Sequence, residues 1–329
     1  MMRYKVKLKP LEPYLFGGEN TFGKLLNEKE KKETPELGTY LVKSRYFPQQ
    51  SAILGMIKKE VMIQSSLLTR KVRGEWVDQS NKKKAIELVG NEKFDIKKIK
   101  EQDFGVIKSI SPIFLQKGDE RFIKKVNTDD YNYEDGILKN YDPKGGNIYD
   151  NFVSIDKGKK LCGNDIFLEV KQIGIKKGGG ENSFFKKTSF LLKEDFCFAF
   201  YLDIDFNLEN SIVKLGADGS EFKMEVVESD EELNYKDKNG YLVLLSDAYI
   251  TIPLRDNCDF AITSELSYQS LKNKKHIRKH NKFEKSKKIY LYEKGSVIIN
   301  PSDELIKNLR EHKNCRKIGY NIFAEGERI

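Results

Sequence analysis

The chain has 329 residues, and fifty-nine Lys and Arg against fifty Asp and Glu give a formal charge of +9 at neutral pH. With 39% hydrophobic and 33% charged residues it is neither a disordered nor a fibrous sequence, and its length fits one large domain or, as we expect, two of ordinary size. No stretch approaches the roughly 20 apolar residues of a membrane span, the start alternates charge with hydrophobe where a secretory leader needs an apolar core, and Cys162, Cys197, Cys258 and Cys315 lie too far apart for a secreted disulfide scaffold or a C-x-x-C site, so a cytoplasmic protein without membrane insertion is expected.

Tyr4, Val6 and Leu8 alternate with Lys5, Lys7 and Lys9, the period of a half-buried strand with a basic outer face. The stretch "LEPYLFGGENTFG" follows, with Gly17, Gly18 and Gly23 among aromatics, and predicts a shaped loop. "SRYFPQQSAILGMIKKE" then starts a helix at Pro48, with Ser51 placed to cap it and Ile53, Leu54, Ile57, Val61 and Met62 on one buried face. Residues 65–103 are weakly periodic, and 106–126 read as strand pieces around "QKGDER". Residues 127–160, rich in Asp, Asn, Tyr and Gly, predict a long insertion.

Alternating apolar residues on both sides of "KKGGG" predict a long hairpin over about 166–206 whose tip, residues 176–180, joins two cations to three glycines. "SIVKLGADGSEFKMEVVE" reads as strand, turn and strand, and the acidic run at 229–238 as a linker, which divides the chain into 1–230 and 231–329. Beyond it we expect a strand in "GYLVLLSDAYITI", helix or irregular structure in "CDFAITSELSYQSL", a hairpin in "KKIYLYEKGSVIIN", a helix in "SDELIKNLREHK" and a strand in "RKIGYNIF". Ser302 caps that helix, Asp303 and Glu304 suit its start, Lys307, Arg310, His312 and Lys313 suit its end, and Leu305, Ile306 and Leu309 form its buried stripe. The order β-α-β-β-α-β points to an α+β, ferredoxin-like domain of the kind RNA-recognition modules use.

Chemistry is sparse. Walker, Rossmann, G-x-S-x-G and catalytic Cys-His patterns are absent from the sequence. His276 and His280 stand at i,i+4, but the surrounding lysines oppose a cation, and Asp203 with Asp205 read as the exposed face of a strand, so neither metal nor cofactor is expected. Residues 272–288 carry nine basic residues and one Glu, a run that either binds phosphates or is a solvated loop. What remains is a binding constellation. Gln49, Gln50 and Ser51 sit at a helix N-terminus, where free N–H groups and the dipole favour phosphates, with Lys43 and Arg45 just before it and Lys58 and Lys59 as weaker candidates.

The succession "PLEPYLFGGENTFG", "YFPQQSAILGMIKKE", "GIKKGGGENSFFKKTSFLL", "KLGADGSEFKMEV" and "GSVII…RKIGYNIF" resembles the Cas-five-like RAMP subunit of type III-B (Cmr) CRISPR effectors over nearly the whole chain. The resemblance implies two ferredoxin-like (RRM-like) domains, a thumb-like β-hairpin and loop insertions. It implies a non-catalytic role gripping the 5′ tag of the CRISPR RNA, with the large polymerase-cyclase subunit on one side and a backbone RAMP subunit on the other. The family's Pro-x-x-Ser-x-x-x-Gly helix start falls on Pro48, Ser51 and Gly55, its thumb on residues 175–192 with Lys176, Lys177, Gly178 and Gly179 at the tip, and its C-terminal glycine-rich segment on Gly319, Tyr320 and Asn321. Two alternatives stand beside this reading: a metal-independent CRISPR-RNA processing endoribonuclease of the same superfamily, and a scaffold that touches only proteins.

Overall fold

The computed structural model describes residues 1–17, 20–21, 40–68, 71–72, 75–76, 78–91, 93–141, 147–175, 184–269, 271–274 and 282–325. Strand β1 (Met2–Pro10) buries Tyr4, Val6 and Leu8 and turns Lys5, Lys7 and Lys9 to the opposite face, as its period requires. Next come β2 (Tyr40–Lys43), helix α1 (Gln50–Gln64) and helix α2 (Gln79–Val89). Periodicity gives no sign of α2; Asp78 caps it by accepting from the Ser80 and Asn81 N–H groups.

Strands β3 (Ile107–Ile110), β4 (Phe114–Lys117), β5 (Glu120–Lys124) and β6 (Asn151–Ser154) follow, then the hairpin β7 (Phe167–Ile175) with β8 (Phe184–Leu192). Strands β9 (Phe196–Ile204), β10 (Ser211–Leu215) and β11 (Ser220–Glu228) complete this part. A nine-stranded sheet runs from a short strand at Lys160–Cys162 through β6, β5, β4, β9, β1 and β11 to β10, with β3 also on β9. Its pairings are antiparallel. The central run β11-β1-β9-β4 has the order 4-1-3-2 when those strands are numbered along the chain, and α1 lies between the first and second. The predicted hairpin is shorter than expected: it ends at Leu192, and β9 belongs to the main sheet. The hairpin's β8 pairs in parallel with β2, forming a separate small sheet.

The rest of the chain comprises β12 (Leu242–Leu244), β13 (Cys258–Ile262), β14 (Glu265–Tyr268), β15 (Leu271–Lys274), β16 (Lys282–Lys285), β17 (Ile289–Tyr292), β18 (Val297–Pro301), α3 (Asp303–Glu311), α4 (Lys313–Lys317) and β19 (Phe323–Ala324). The sheet order is β13-β18-β12-β19, all antiparallel, which is 2-3-1-4 by chain position. Between β12 and β13 the described chain makes one helical turn at Leu254–Asp256. The stretch expected to be helix or irregular is strand: β13 with β18, β14 with β17 and β15 with β16 are three successive ladders of one long hairpin. The cause is period two, since Leu266 and Tyr268 alternate into the main core. Residues 272–274 and 282–285 of the basic run lie in the distal ladder of this hairpin. Only a two-residue strand stands where "RKIGYNIF" predicted a full one, because α4 and a turn at Gly319 use the preceding residues.

Helix α1 buries Ile53, Leu54, Ile57 and Val61 on one face of the main sheet, as predicted. The opposite face meets the second sheet through Phe114, Ile123 and Tyr201 against Val243, Val297 and Ile299. Helix α3 covers the second sheet with Leu305 and Leu309, and Ser302 caps it as read from the sequence.

The acidic run at 229–238 lies along the basic face of β1. Lys5 pairs with Glu231 (3.0 Å), Arg3 with Glu232 (3.0 Å) and with Asp203 (2.7 Å), and Lys125 with Asp237 (3.0 Å). Asp203 is therefore buried rather than exposed: Arg3 covers it and Ser109 donates to it. Lys125 and Asp237 are both nearly inaccessible, and Lys125 also donates to Thr128. Removing one partner leaves the other charge buried, so Asp237→Ala should lower unfolding free energy in urea by about 3–5 kcal/mol, and adding Lys125→Met should restore most of the loss. A double variant as unstable as the single one would show that the stranded lysine is not the cause.

Candidate nucleic-acid interface

The helix start predicted as a phosphate site is built into a joint. Gln49 takes the N-cap position in extended conformation with no side-chain cap, and the helix begins at Gln50, so Ser51 does not cap it. The Gln50 amide turns inward and donates to the Ser111 carbonyl (2.8 Å) and the Gly319 carbonyl (3.0 Å). Gly319 has φ +88°, and a Cβ there would stand 2.1 Å from Gln50 Nε2 and 2.6 Å from the Ser111 carbonyl oxygen. Only glycine fits that approach.

Tyr320 is fully buried, stacks on Phe94 (5.7 Å) and meets Tyr268 edge-on (6.4 Å). Its hydroxyl accepts from the Ser51 N–H and donates to Ser51 Oγ, both at 3.4 Å. Asn321, also fully buried, accepts from the Tyr249 N–H (2.8 Å) and donates to the Tyr249 carbonyl (2.9 Å). Tyr320 thus holds the helix start in place, Asn321 is tied to the Tyr249 backbone, and neither offers a side chain to a ligand. The reason is that no polar loop separates them from the core: Ile318 just before them is itself buried in it.

Lys43 and Arg45 lie beside this joint. Ser44 between them is buried, accepts from the Phe16 N–H and donates to the Arg45 carbonyl, which points its neighbours outward. Lys43 is exposed. Arg45 Nη2 donates to the Ser267 carbonyl on β14 (3.1 Å), while Nη1 has no partner among the described residues. Lys43, Arg45, Tyr46, Lys124, Tyr149 and Asp150 line a cleft of about 240 Å³. Tyr46 stacks on Phe167 (4.1 Å, 7°), and burial followed by Asp150 pushes its phenol up to about 12, so at neutral pH it is a neutral hydrogen-bond donor. Burial raises Glu293, but Lys124 at 2.5 Å, Ser264 and Arg45 together outweigh it and the carboxyl stays below its ordinary range.

The other candidates separate. Gly55 sits on the exposed side of α1, and a Cβ added there would meet nothing within 4 Å. Lys58 lies over the Phe104 ring (4.9 Å), and Lys59 is exposed. Lys176, Lys177, Gly178 and Gly179 fall outside the described residues, as do His276 and His280. Among the described residues no cluster of His, Cys, Asp or Glu has the grouping of a metal site. Sequence reasoning missed Lys124, Tyr149, Ser267, Tyr268 and Lys294. The alternation of Leu266 and Tyr268 was the available signal for the pair on β14; Lys124, Tyr149 and Lys294 had none.

Lys294 is the most unusual of these. It is buried, its Nζ lies 4.0 Å from the Phe47 ring centre and donates to the Ile113 carbonyl, and desolvation pushes it down to about 8 despite nearby Asp247. A lysine with a depressed folded value binds fewer protons when folded, so stability rises with pH between about 8 and its ordinary 10.5. We expect wild type to gain on the order of 1 kcal/mol relative to Lys294→Met between pH 8 and about pH 9.5 in chemical denaturation. Parallel profiles for the two proteins would show that Lys294 keeps its proton.

Neither a protein-family model nor a curated protein matches this sequence. Among solved structures, a chain of the type III-B Cmr-beta complex bound to cognate target RNA aligns with 97% of this chain and 96% of its own, at 16% identity and a TM-score of 0.51. A chain of the same complex with cognate target RNA and AMPPnP aligns over 97% and 95%, at 17% identity and a TM-score of 0.51. A chain of the Csm1-Csm4 cassette in complex with pppApA aligns over 92% and 88%, at 12% identity and a TM-score of only 0.35. No helix among the described residues is long and apolar enough to cross a membrane. The resemblance noted in the sequence is borne out in three dimensions: over nearly its whole length this chain has the mixed α+β fold of a chain in the type III-B Cmr-beta complex.

Proposed function

We infer that this chain is a non-catalytic RNA-binding subunit of a type III-B CRISPR ribonucleoprotein that grips the 5′ tag of the CRISPR RNA. Its neighbours in that assembly are the large polymerase-cyclase subunit and a backbone RAMP subunit. The two sheets with 4-1-3-2 order are then two ferredoxin-like domains, 1–230 and 231–329, and β7-β8 is the thumb. The observation that carries the reading is the juxtaposition of exposed Lys43, half-buried Arg45 and neutral tyrosines on one cleft beside the start of α1. Lysine and arginine neutralise phosphates, and phenol rings stack on unpaired bases.

Gly55 supports the same placement. Glycine inside a helix is destabilising by roughly 0.5–1 kcal/mol relative to Ala, and nothing in this chain crowds the position. A residue with no internal reason to be glycine suits a face on which a partner's backbone lies close.

Two outcomes follow. Replacing Lys43 and Arg45 by Ala should weaken tag-RNA binding and reduce the slope of log K against log salt by roughly 0.7 for each phosphate that is no longer neutralised. An unchanged slope would remove both from the interface. Gly55→Ala should stabilise the free protein by about 0.5–1 kcal/mol yet weaken RNA binding; stabilisation with full affinity would take that face of α1 out of the interface. The same titration with labelled repeat RNA and no metal separates the nuclease alternative, since specific cleavage would contradict a passive role.

A further inference from the structure

Within the insertion, residues 129–139 take no part in the Lys43–Arg45 cleft and form a wall of their own. Its hairpin, Asn132–Glu134 paired with Ile137–Lys139, faces the outer side of α3 across a groove of about 1060 Å³. The groove shares no lining residue with the Lys43–Arg45 cleft. We propose that it docks a basic segment of a partner protein, an extended or helical stretch carrying Lys or Arg around an apolar anchor.

Charge is the first argument. Four carboxylates line the groove (Asp129, Asp130, Asp303 and Glu325) against two cations, on a chain whose formal charge is +9. Both cations are engaged within the groove, Lys238 with Asp129 (2.9 Å) and Arg310 with Glu325 (2.5 Å), and Lys160 from outside the lining also pairs with Asp129, which leaves Asp130 as a carboxylate not bridged by a lining cation. The Asp130 carboxylate is exposed and has no partner among the described residues. An RNA phosphate would meet a repulsive field here, whereas a cationic segment gains on approach.

Surface chemistry and size agree. Tyr131, Tyr133 and Ile306, each partly exposed, supply apolar contact within a mainly polar lining, and Tyr131 is braced edge-on by Tyr141 at 5.5 Å. Tyrosines with a polar rim are the usual anchors of protein interfaces. The volume lies at or above the top of the range of small-molecule sites and suits a run of side chains instead. The proposal does not depend on where the tag binds.

The test uses the full chain and a short labelled peptide alternating Lys and Leu, with its Glu-for-Lys counterpart and a single-stranded RNA oligomer as comparisons. Asp130→Asn with Asp303→Asn should lower affinity for the Lys peptide about tenfold, from two weakened ion pairs. Glu221→Gln with Glu225→Gln, which removes the same charge from the main sheet, should change it by less than about twofold. RNA affinity should stay unchanged, and the Glu peptide should not bind. Asp130→Asn alone, at an exposed position, gives the same direction should the double variant be less stable. Equal losses from both pairs of substitutions, absence of Lys-peptide binding, or an effect on RNA in place of the peptide would each overturn the proposal.

Discussion

The arrangement of the candidate interface depends on one close approach. The Gln50 side chain reaches two carbonyls, those of Ser111 and Gly319, that are far from it in sequence, and it can do so because residue 319 has no Cβ and holds a positive φ. The buried Gln50 Nε2 donates to both backbone carbonyls, which left unpaired would be costly, while its Oε1 has no partner among the described residues. Through this joint the start of α1 is fixed to the edge of the main sheet and to the C-terminal turn at once. Tyr320, seated between Phe94 and Tyr268, fills the space behind it. The position of Lys43 and Arg45 follows, because the segment from β2 to α1 has little freedom left once both of its ends are held.

Charge is distributed to match. The cations of β1, which would leave a broad basic face on the main sheet, are partly matched by the acidic run, Lys5 by Glu231 and Arg3 by Glu232, so that run serves as an electrostatic strap between the two sheets. Positive charge is left at the Lys43–Arg45 cleft, and negative charge gathers in the groove beside α3. A protein that holds RNA on one surface and protein on another gains from this separation, since each field disfavours the other ligand.

Much of the fold was legible where local pattern and burial agree. The alternation in β1, the stripe of Ile53, Leu54 and Ile57 and the Ser302 cap appear as read, and the hairpin does so in part, as β7 and β8 without β9. Helix α2 was hidden because its apolar residues are few and its cap, Asp78, lies in a segment full of charge. The long hairpin from β13 to β18 was misread because its period changes register at each of three ladders, and short alternations of two or three residues are weak evidence by themselves. The candidate site was half legible. Lys43 and Arg45 do stand beside the helix start, but Gln50 and Tyr320 have inward roles that depend on contacts across 269 residues of chain and Asn321 on one across 72, and no local spacing encodes such contacts.

On this reading RNA meets the chain at the segment from β2 into α1. Photocrosslinking of the assembled ribonucleoprotein, with peptide mapping of the adducts formed by the 5′ tag, tests that placement most directly. Adducts are expected in peptides covering residues 43–55, with Tyr46 the favoured ring. Adducts confined to other surfaces, such as the distal ladder of the long hairpin or the groove beside α3, with none in 43–55, would contradict it.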